Sequence, residues 1–232
     1  MQTKLFRKSL IIGVILCLLP FSMLLFSAQS STSLDEVKIT RALKQNYGER
    51  AAKRGRAWFS VMARSKHLEN IEKLKNINQF FNLLYFVDDI KLWGKSNYWA
   101  TPIEFLGVNG GDCEDFAIAK YFSLLAIGIP DEKMRITMVK ALRLDQYHMV
   151  VSYYETPGSI PLILDNLDGR IKKANLRKDL IPIYSFNGKQ LWLNKEKGRG
   201  VLVGKSQRLK LWKNLNQRMG LSKMRQPKLN LE

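Results

Sequence analysis

The residues most able to do chemistry gather in Asn109-Gly110-Gly111-Asp112-Cys113-Glu114-Asp115, a glycine turn that runs into an apolar segment ending at Gly128 and Pro130. Asp112 is a helix-capping residue type and Gly128 with Pro130 is a stop signal, so the spacing predicts a helix of about four turns beginning at Cys113. A thiol at such a start faces unpaired amide N–H groups, whose partial positive charge favours the thiolate. The sulfur therefore reads as a nucleophile, although most isolated cysteines are small buried hydrophobes.

A nucleophile of this kind needs a base and something to orient it. Met134 to Leu142 and His148 to Tyr154 alternate with period two, Thr156 to Ser159 reads as a turn, and Pro161 to Asp165 reads as a returning strand. With the turn centred between Pro157 and Gly158, residues whose numbers sum to 315 face one another. Asp165 then lies opposite Val150, with His148 one diagonal step away. The expected constellation is Cys113, His148 and Asp165. Its chemistry is acyl transfer: the thiolate attacks a carbonyl, the imidazole protonates the leaving amine, and the carboxylate holds the imidazole. The same three residues serve a protease, a transglutaminase or an amidase.

Asp112, Glu114 and Asp115 crowd the helix turn that carries the thiol. Acids in a first turn usually cap the helix and complement its dipole. Three of them also oppose ionisation of a neighbouring thiol, a conflict that a bound cation would resolve. Clustered carboxylates are hard oxygen donors that suit calcium better than zinc. Cys113 is the only cysteine after residue 30 and the chain has two histidines, so the usual zinc ligand sets are lacking. His67, in a basic stretch, reads as a surface residue.

Other segments must position these groups. From Leu34 to Leu92, apolar residues recur at helical spacing: Trp58, Val61 and Met62, then Leu68, Ile71, Leu74, Ile77, Phe81 and Leu84. Lys53, Arg54, Arg56, Arg64 and Lys66 form what reads as a solvated face. Trp99 reads as core filler or as the wall of a substrate cleft. Helices followed by antiparallel strands give an α+β class. A chain of 232 residues with 46% hydrophobic content is one domain's worth.

Residues 1–30 open with Lys4, Arg7 and Lys8, continue as an apolar run from Leu10 to Phe26, and end in small residues at Ala28 and Ser30. They read as a secretory signal, with an uncleaved anchor as the alternative, and either places the remainder outside the cytoplasm. The formal net charge of +18 implies an acidic partner or surface without choosing one. Residues 195–232 form a basic tail that reads either as a frayed, solvated segment or as an amphipathic helix, with Leu209, Trp212, Leu215 and Met219 on one face, docking on a membrane surface or a receptor. A basic, non-enzymatic binder of anionic lipid or DNA is the rival to an enzyme, sustained by the aromatic residues near Trp192 and Trp212.

Several runs together resemble the bacterial transglutaminase-like cysteine peptidases, in particular the periplasmic LapG-type adhesin proteases. They are residues 97–104 (NYWATPIE), 111–121 (GDCEDFAIAKY), 148–151 (HMVV), 164–166 (LDN), 177–187 (RKDLIPIYSFN) and 191–192 (LW). The resemblance spans about Leu34 to Leu193, so the protease domain is expected over 31–194. It implies a papain-like core of N-terminal helices and antiparallel sheet, with the triad on Cys113, His148 and Asp165. It implies calcium dependence with ligands matching Asp112 and Glu114, to which Asp115 is added as a third. It further implies cleavage of a large surface adhesin at a di-alanine site, and sequestration by an inner-membrane cyclic-di-GMP receptor. Nucleic acid is not an expected partner. Asn97 stands where that family usually has Asp.

Overall fold

The computed structural model describes residues 35–194, 200–222 and 224–231, and the expected signal segment 1–30 lies outside them. Three helices come first: α1 (Glu36–Tyr47), α2 (Glu49–Ser65) and α3 (Asn70–Phe81). A short connection follows, with β1 (Tyr85–Phe86), α4 (Asp89–Leu92), α5 (Pro102–Val108) and β2 (Gly110–Gly111). Then comes α6 (Cys113–Ala126). The second half is a seven-stranded antiparallel sheet, built from β3 (Met134–Ala141), β4 (Gln146–Tyr153), β5 (Leu162–Leu164), β6 (Lys172–Lys173), β7 (Leu180–Phe186), β8 (Gln190–Leu193) and β9 (Val201–Lys205), in the order β6-β5-β4-β3-β7-β8-β9. The last helix is α7 (Lys210–Gln217). The α+β expectation holds.

Helix α6 is apolar nearly all round, and such a helix has to be buried on every side. Phe116, Ala117, Ile118, Ala119, Tyr121 and Leu124 are all inside. One face packs on β4 and β3, where Ile136, Met149, Val151 and Tyr153 point inward. The other faces meet the helices through Trp58, Leu74, Phe81 and Phe105, and the Trp58 indole donates to Ser123 Oγ at 2.8 Å. The alternate residues Val139, Val150 and Ile163 form a small cluster on the far face of the sheet, as the pleat requires.

The hairpin has the register expected from its turn. Val151 pairs with Leu164, Ser152 with Ile163 and Tyr153 with Leu162, each pair summing to 315. Ser159 N donates to Thr156 O at 3.0 Å and closes the turn. Strand β5 stops after three residues, which leaves the edge of β4 unpaired from Val150 towards His148.

Two expectations need correction. Arg54 does not belong to a solvated face: its guanidinium donates to the carbonyls of Leu106 and Gly107, both at 2.8 Å, and satisfies the C-terminal end of α5. The larger correction concerns the tail. β9 adds a strand to the sheet, and α7 is indeed amphipathic, but its apolar face is already covered. Trp212 is 1% exposed, stacked on Phe122 at 5.5 Å and set against Phe186 at 5.1 Å, while Leu215 is fully buried. Beyond α7 the chain returns over the helices. Buried Glu104 accepts from Arg218 Nη1 and Arg225 N at 2.9 Å each, and Lys228 N donates to Leu92 O at 2.7 Å. The domain therefore does not end at 194, α7 has no free apolar face to lay on a bilayer, and Trp212 is not available to stack on bases. Among the described residues no helix is long and apolar enough to cross a membrane.

This docking gives the first prediction. Trp212→Ala should destabilise the domain by about 3–5 kcal/mol, the usual cost of deleting a buried aromatic side chain, measured by urea unfolding. A cost below about 0.5 kcal/mol, typical of surface positions, would mean that the segment is not packed in solution.

Candidate active site

The site is assembled by the connection between α5 and α6. Thr101 and Glu104 form a capping box at the start of α5, with Pro102 at its first turn. Asn109 ends that helix in the left-handed region at φ 67°. The chain then runs beside β1: Tyr85 N donates to Asn109 O at 3.1 Å and Val87 N to Gly111 O at 2.9 Å. Both glycines are demanded by close approach. A methyl group at Gly110 would overlap the Tyr85 carbonyl, and one at Gly111 would overlap the Asp115 carboxylate.

This path delivers Cys113 to the first residue of α6, partly buried and reduced. Met149 presents its amide to the Cys113 sulfur. Met149 lies two residues before Val151 on β4 and faces the same edge, which is open because β5 has ended. The neighbouring residue is His148. Its Nε2 lies 2.7 Å from Asp165 Oδ1, with the imidazole 5% exposed and the carboxylate fully buried. No bulge is needed to bring them together, because the diagonal step is short enough. Asp165 Oδ1 also accepts from Leu167 N at 3.0 Å, and Oδ2 accepts from Arg177 Nη2 at 2.8 Å. Burial opposes the charge on Asp165, but the contacts from His148, Leu167 and Arg177 outweigh it and hold the carboxyl at about 2.

Around the thiol the balance runs the other way. Burial, then the charges of Glu114 and Asp112, push the Cys113 thiol well above its ordinary range. Cys113 Sγ lies 3.2 Å from Glu114 Oε2 and donates to it. Without a counter-charge, burial and the two acids oppose the thiolate that the helix start favours. Nor does Asp112 cap the helix with its side chain, although it occupies the N-cap position.

The acids have a different organisation. Asp89, Asp112 and Asp115 each offer a carboxylate oxygen within 4.8 Å of the other two. Asp89 Oδ1, Asp112 Oδ1 and Asp115 Oδ2 are buried and have no hydrogen-bond partner. The remaining oxygens of the outer two are held by the backbone: Asp89 Oδ2 by Tyr98 N, and Asp115 Oδ1 by Ala100 N at 2.7 Å. Burial raises Asp89 to about 7, and burial with acidic neighbours raises Asp112 and Asp115 further. Three converging bare oxygens of this kind fit a hard divalent cation, whose ligand oxygens lie within about 5 Å of one another. Glu114 belongs to a second group with Asp112 and Cys113. Asp112 is common to both.

Asp89 is not among the acids that the sequence motif around Cys113 singles out. The signal was slight, since 24 residues separate it from Cys113. Arg177 and Lys120 were present in the quoted runs without a role. Lys120 is 1% exposed, and burial lowers it to about 7 while Asp165 opposes that shift. Trp99 is core rather than cleft wall: it is 4% exposed and stacked on Phe186 at 5.7 Å. His67 is exposed, as expected.

The acids make stability depend on pH in a definite direction. A carboxyl whose folded pKa is raised binds its proton more tightly in the folded state, so it favours folding at low pH and loses that benefit as pH rises through the folded value. In metal-stripped protein, the stability contributed by Asp89 should therefore fall between about pH 4 and pH 7. Thermal unfolding across that window should show a falling midpoint, and a saturating divalent cation should flatten it. A midpoint that does not fall with pH in the stripped protein would contradict the raised carboxyls.

The fold agrees with comparisons to known proteins. The structure resembles that of LapG from Legionella pneumophila at 42% sequence identity. The EGTA-treated form gives a TM-score of 0.71, covering 81% of this chain and 98% of that one. The calcium-bound form gives 0.69, covering 81% and 100%. A search of curated protein sequences returns no match. The family model for bacterial transglutaminase-like cysteine proteinases matches residues 46–214, and with most of the chain inside that match the protein is a member of this cysteine proteinase family.

Proposed function

We propose that the protein is a periplasmic, calcium-dependent endopeptidase that cuts the N-terminal region of a large surface adhesin at a di-alanine site, with Cys113, His148 and Asp165 as its catalytic residues. One observation carries the catalytic reading: the amide of Met149 meets the Cys113 sulfur, and His148, the residue before Met149 in β4, has its Nε2 already engaged by a buried carboxylate. Asp165 accepts a hydrogen bond from Nε2–H, and in that tautomer Nδ1 keeps its lone pair. That nitrogen takes the thiol proton and later gives it to the leaving amine. The thiolate attacks the peptide carbonyl, forming an acyl-enzyme that water hydrolyses. Unpaired amides of the first turn of α6, including that of Cys113, supply donors for the oxyanion.

Calcium, when bound, would supply positive charge to the acidic cluster beside the thiol. Asp89, Asp112 and Asp115 would hold it, with Glu114 the further candidate through its grouping with Asp112. Positive charge there opposes the effect of Asp112 and Glu114 on the thiol and favours the thiolate. The relative solved in a calcium-bound form supports this choice of ion. The adhesin substrate, the release of cells from biofilm, and sequestration by an inner-membrane cyclic-di-GMP receptor follow from likeness to the LapG type. Export fits the character of residues 1–30.

Three outcomes are expected with a purified adhesin fragment. Cys113→Ala and His148→Ala abolish cleavage in folded protein, while Asp165→Asn leaves more residual activity because its role is orientation. Wild-type turnover by Cys113→Ala would remove the assignment. Bulky replacements at both alanines of the cleavage site should block cutting, and unchanged cutting would remove the specificity. Metal-stripped protein should be inactive, recover with calcium and show calcium-binding heat that Asp89→Ala or Asp112→Ala reduces at least tenfold in affinity, on the order of 1.4 kcal/mol or more. Full activity of stripped protein, or no binding heat, would leave these acids without a cation.

A further inference from the structure

We propose that Arg177 is a positioning residue for the protease reaction, a clamp that fixes the rotation of the Asp165 carboxylate and so the ring of His148. The proposal rests on the catalytic reading of Cys113, His148 and Asp165. Asp165 is the first residue beyond β5, where strand pairing no longer holds it. Its Oδ1 is shared by His148 Nε2 at 2.7 Å and Leu167 N at 3.0 Å. Only Arg177 Nη2, at 2.8 Å, holds Oδ2 among the described hydrogen bonds. Without that contact the carboxylate can turn about its last side-chain bond and offer either oxygen, at a range of angles, to the imidazole.

The clamp is itself anchored. Asp179 accepts from Arg177 Nε at 3.0 Å and from Nη2 at 2.9 Å, so the planar guanidinium is held along one edge while Nη2 reaches Asp165. Arg177 is 4% exposed, and it enters from the segment just after the short turn Ala174–Leu176. Lysine could match the charge at this place but not the two-sided planar grip. Simple stabilisation is a poor account of the arrangement, because burying an ion pair costs desolvation that an apolar pair would avoid. What the arrangement does supply is a relay of fixed angles from Asp179 through Arg177 and Asp165 to His148.

The groups that face Asp165 are His148 from β4, Arg177 from the segment before β7, the Leu167 amide, and Lys120 from α6, which acts on Asp165 through space. With Arg177 removed, Lys120 remains near the carboxylate but makes no hydrogen bond to it among those described. The hold on the orientation of Oδ2 is then lost.

The test is steady-state cleavage of an adhesin fragment containing the paired alanines, at saturating calcium, from about pH 4 to pH 8. Arg177→Met should lower kcat by about 10- to 100-fold with KM nearly unchanged, the scale expected of a small misplacement of catalytic groups. The acidic limb of kcat should move to higher pH, because Asp165 loses a partner of its charged form. Arg177→Lys should recover the limb more fully than it recovers kcat. A purely structural role would lower the active fraction, counted by titrating the reactive thiol, without moving the pH profile. Wild-type kcat and pH profile in Arg177→Met, with His148→Ala inactive, would overturn the clamp and leave the triad standing. Activity retained in His148→Ala would overturn the triad itself. If Arg177→Met does not fold, Asp179→Asn loosens the anchor while leaving Arg177 in place. It should give a smaller shift in the same direction, and an unshifted profile there would overturn the proposal.

Discussion

Asp89, Asp112 and Asp115 each bring a carboxylate oxygen within 4.8 Å of the other two beside the start of α6, and each has a buried oxygen without a hydrogen-bond partner. Like charges so close in a poorly hydrated site cannot all ionise unaided, and protonation or a cation are the two ways to hold them. Much of the surrounding structure is arranged around this constraint. Gly111 lacks a side chain because the Asp115 carboxylate occupies its space, and the backbone at Tyr98 and Ala100 is bent to donate to Asp89 and Asp115. Those contacts tie the loop before α5 to the helix that carries the thiol. An ion seated among the acids would thus influence both the shape of the approach and the charge felt by Cys113.

The opposite electrostatics hold at Asp165. Asp165 is buried too, yet it is met by His148, Leu167 N, Arg177 and the more distant Lys120, so it stays charged. The structure thus holds two carboxyl environments, one starved of partners and one rich in them. Catalysis of acyl transfer needs both a thiolate and a base held at fixed angle. In the proposed mechanism the first environment would govern whether the thiolate forms, and the second where the base points.

The fold class and the hairpin register were legible because they depend on local periodicity and turn chemistry. Numbers summing to 315 found the pairing of β4 with β5, and the helix start at Cys113 followed from the glycine turn. Three features were not legible. Asp89 joins the acids only through tertiary folding across 24 residues of chain. Arg54 and Arg177 look like surface cations in sequence, and only the structure shows that one closes a helix end and the other meets Asp165. The tail misled most, because an amphipathic pattern in a basic segment is the same whether its apolar face meets lipid or the protein's own core. Here Phe122 and Phe186 take Trp212.

The account depends on one coupling, between an ion at the acidic cluster and the reactivity of the thiol. The most direct measurement is the second-order rate of Cys113 alkylation by iodoacetamide at neutral pH, followed by mass spectrometry on metal-stripped and calcium-loaded protein. The account predicts a rate that rises severalfold or more on calcium loading. Equal rates in the stripped and loaded protein would contradict it.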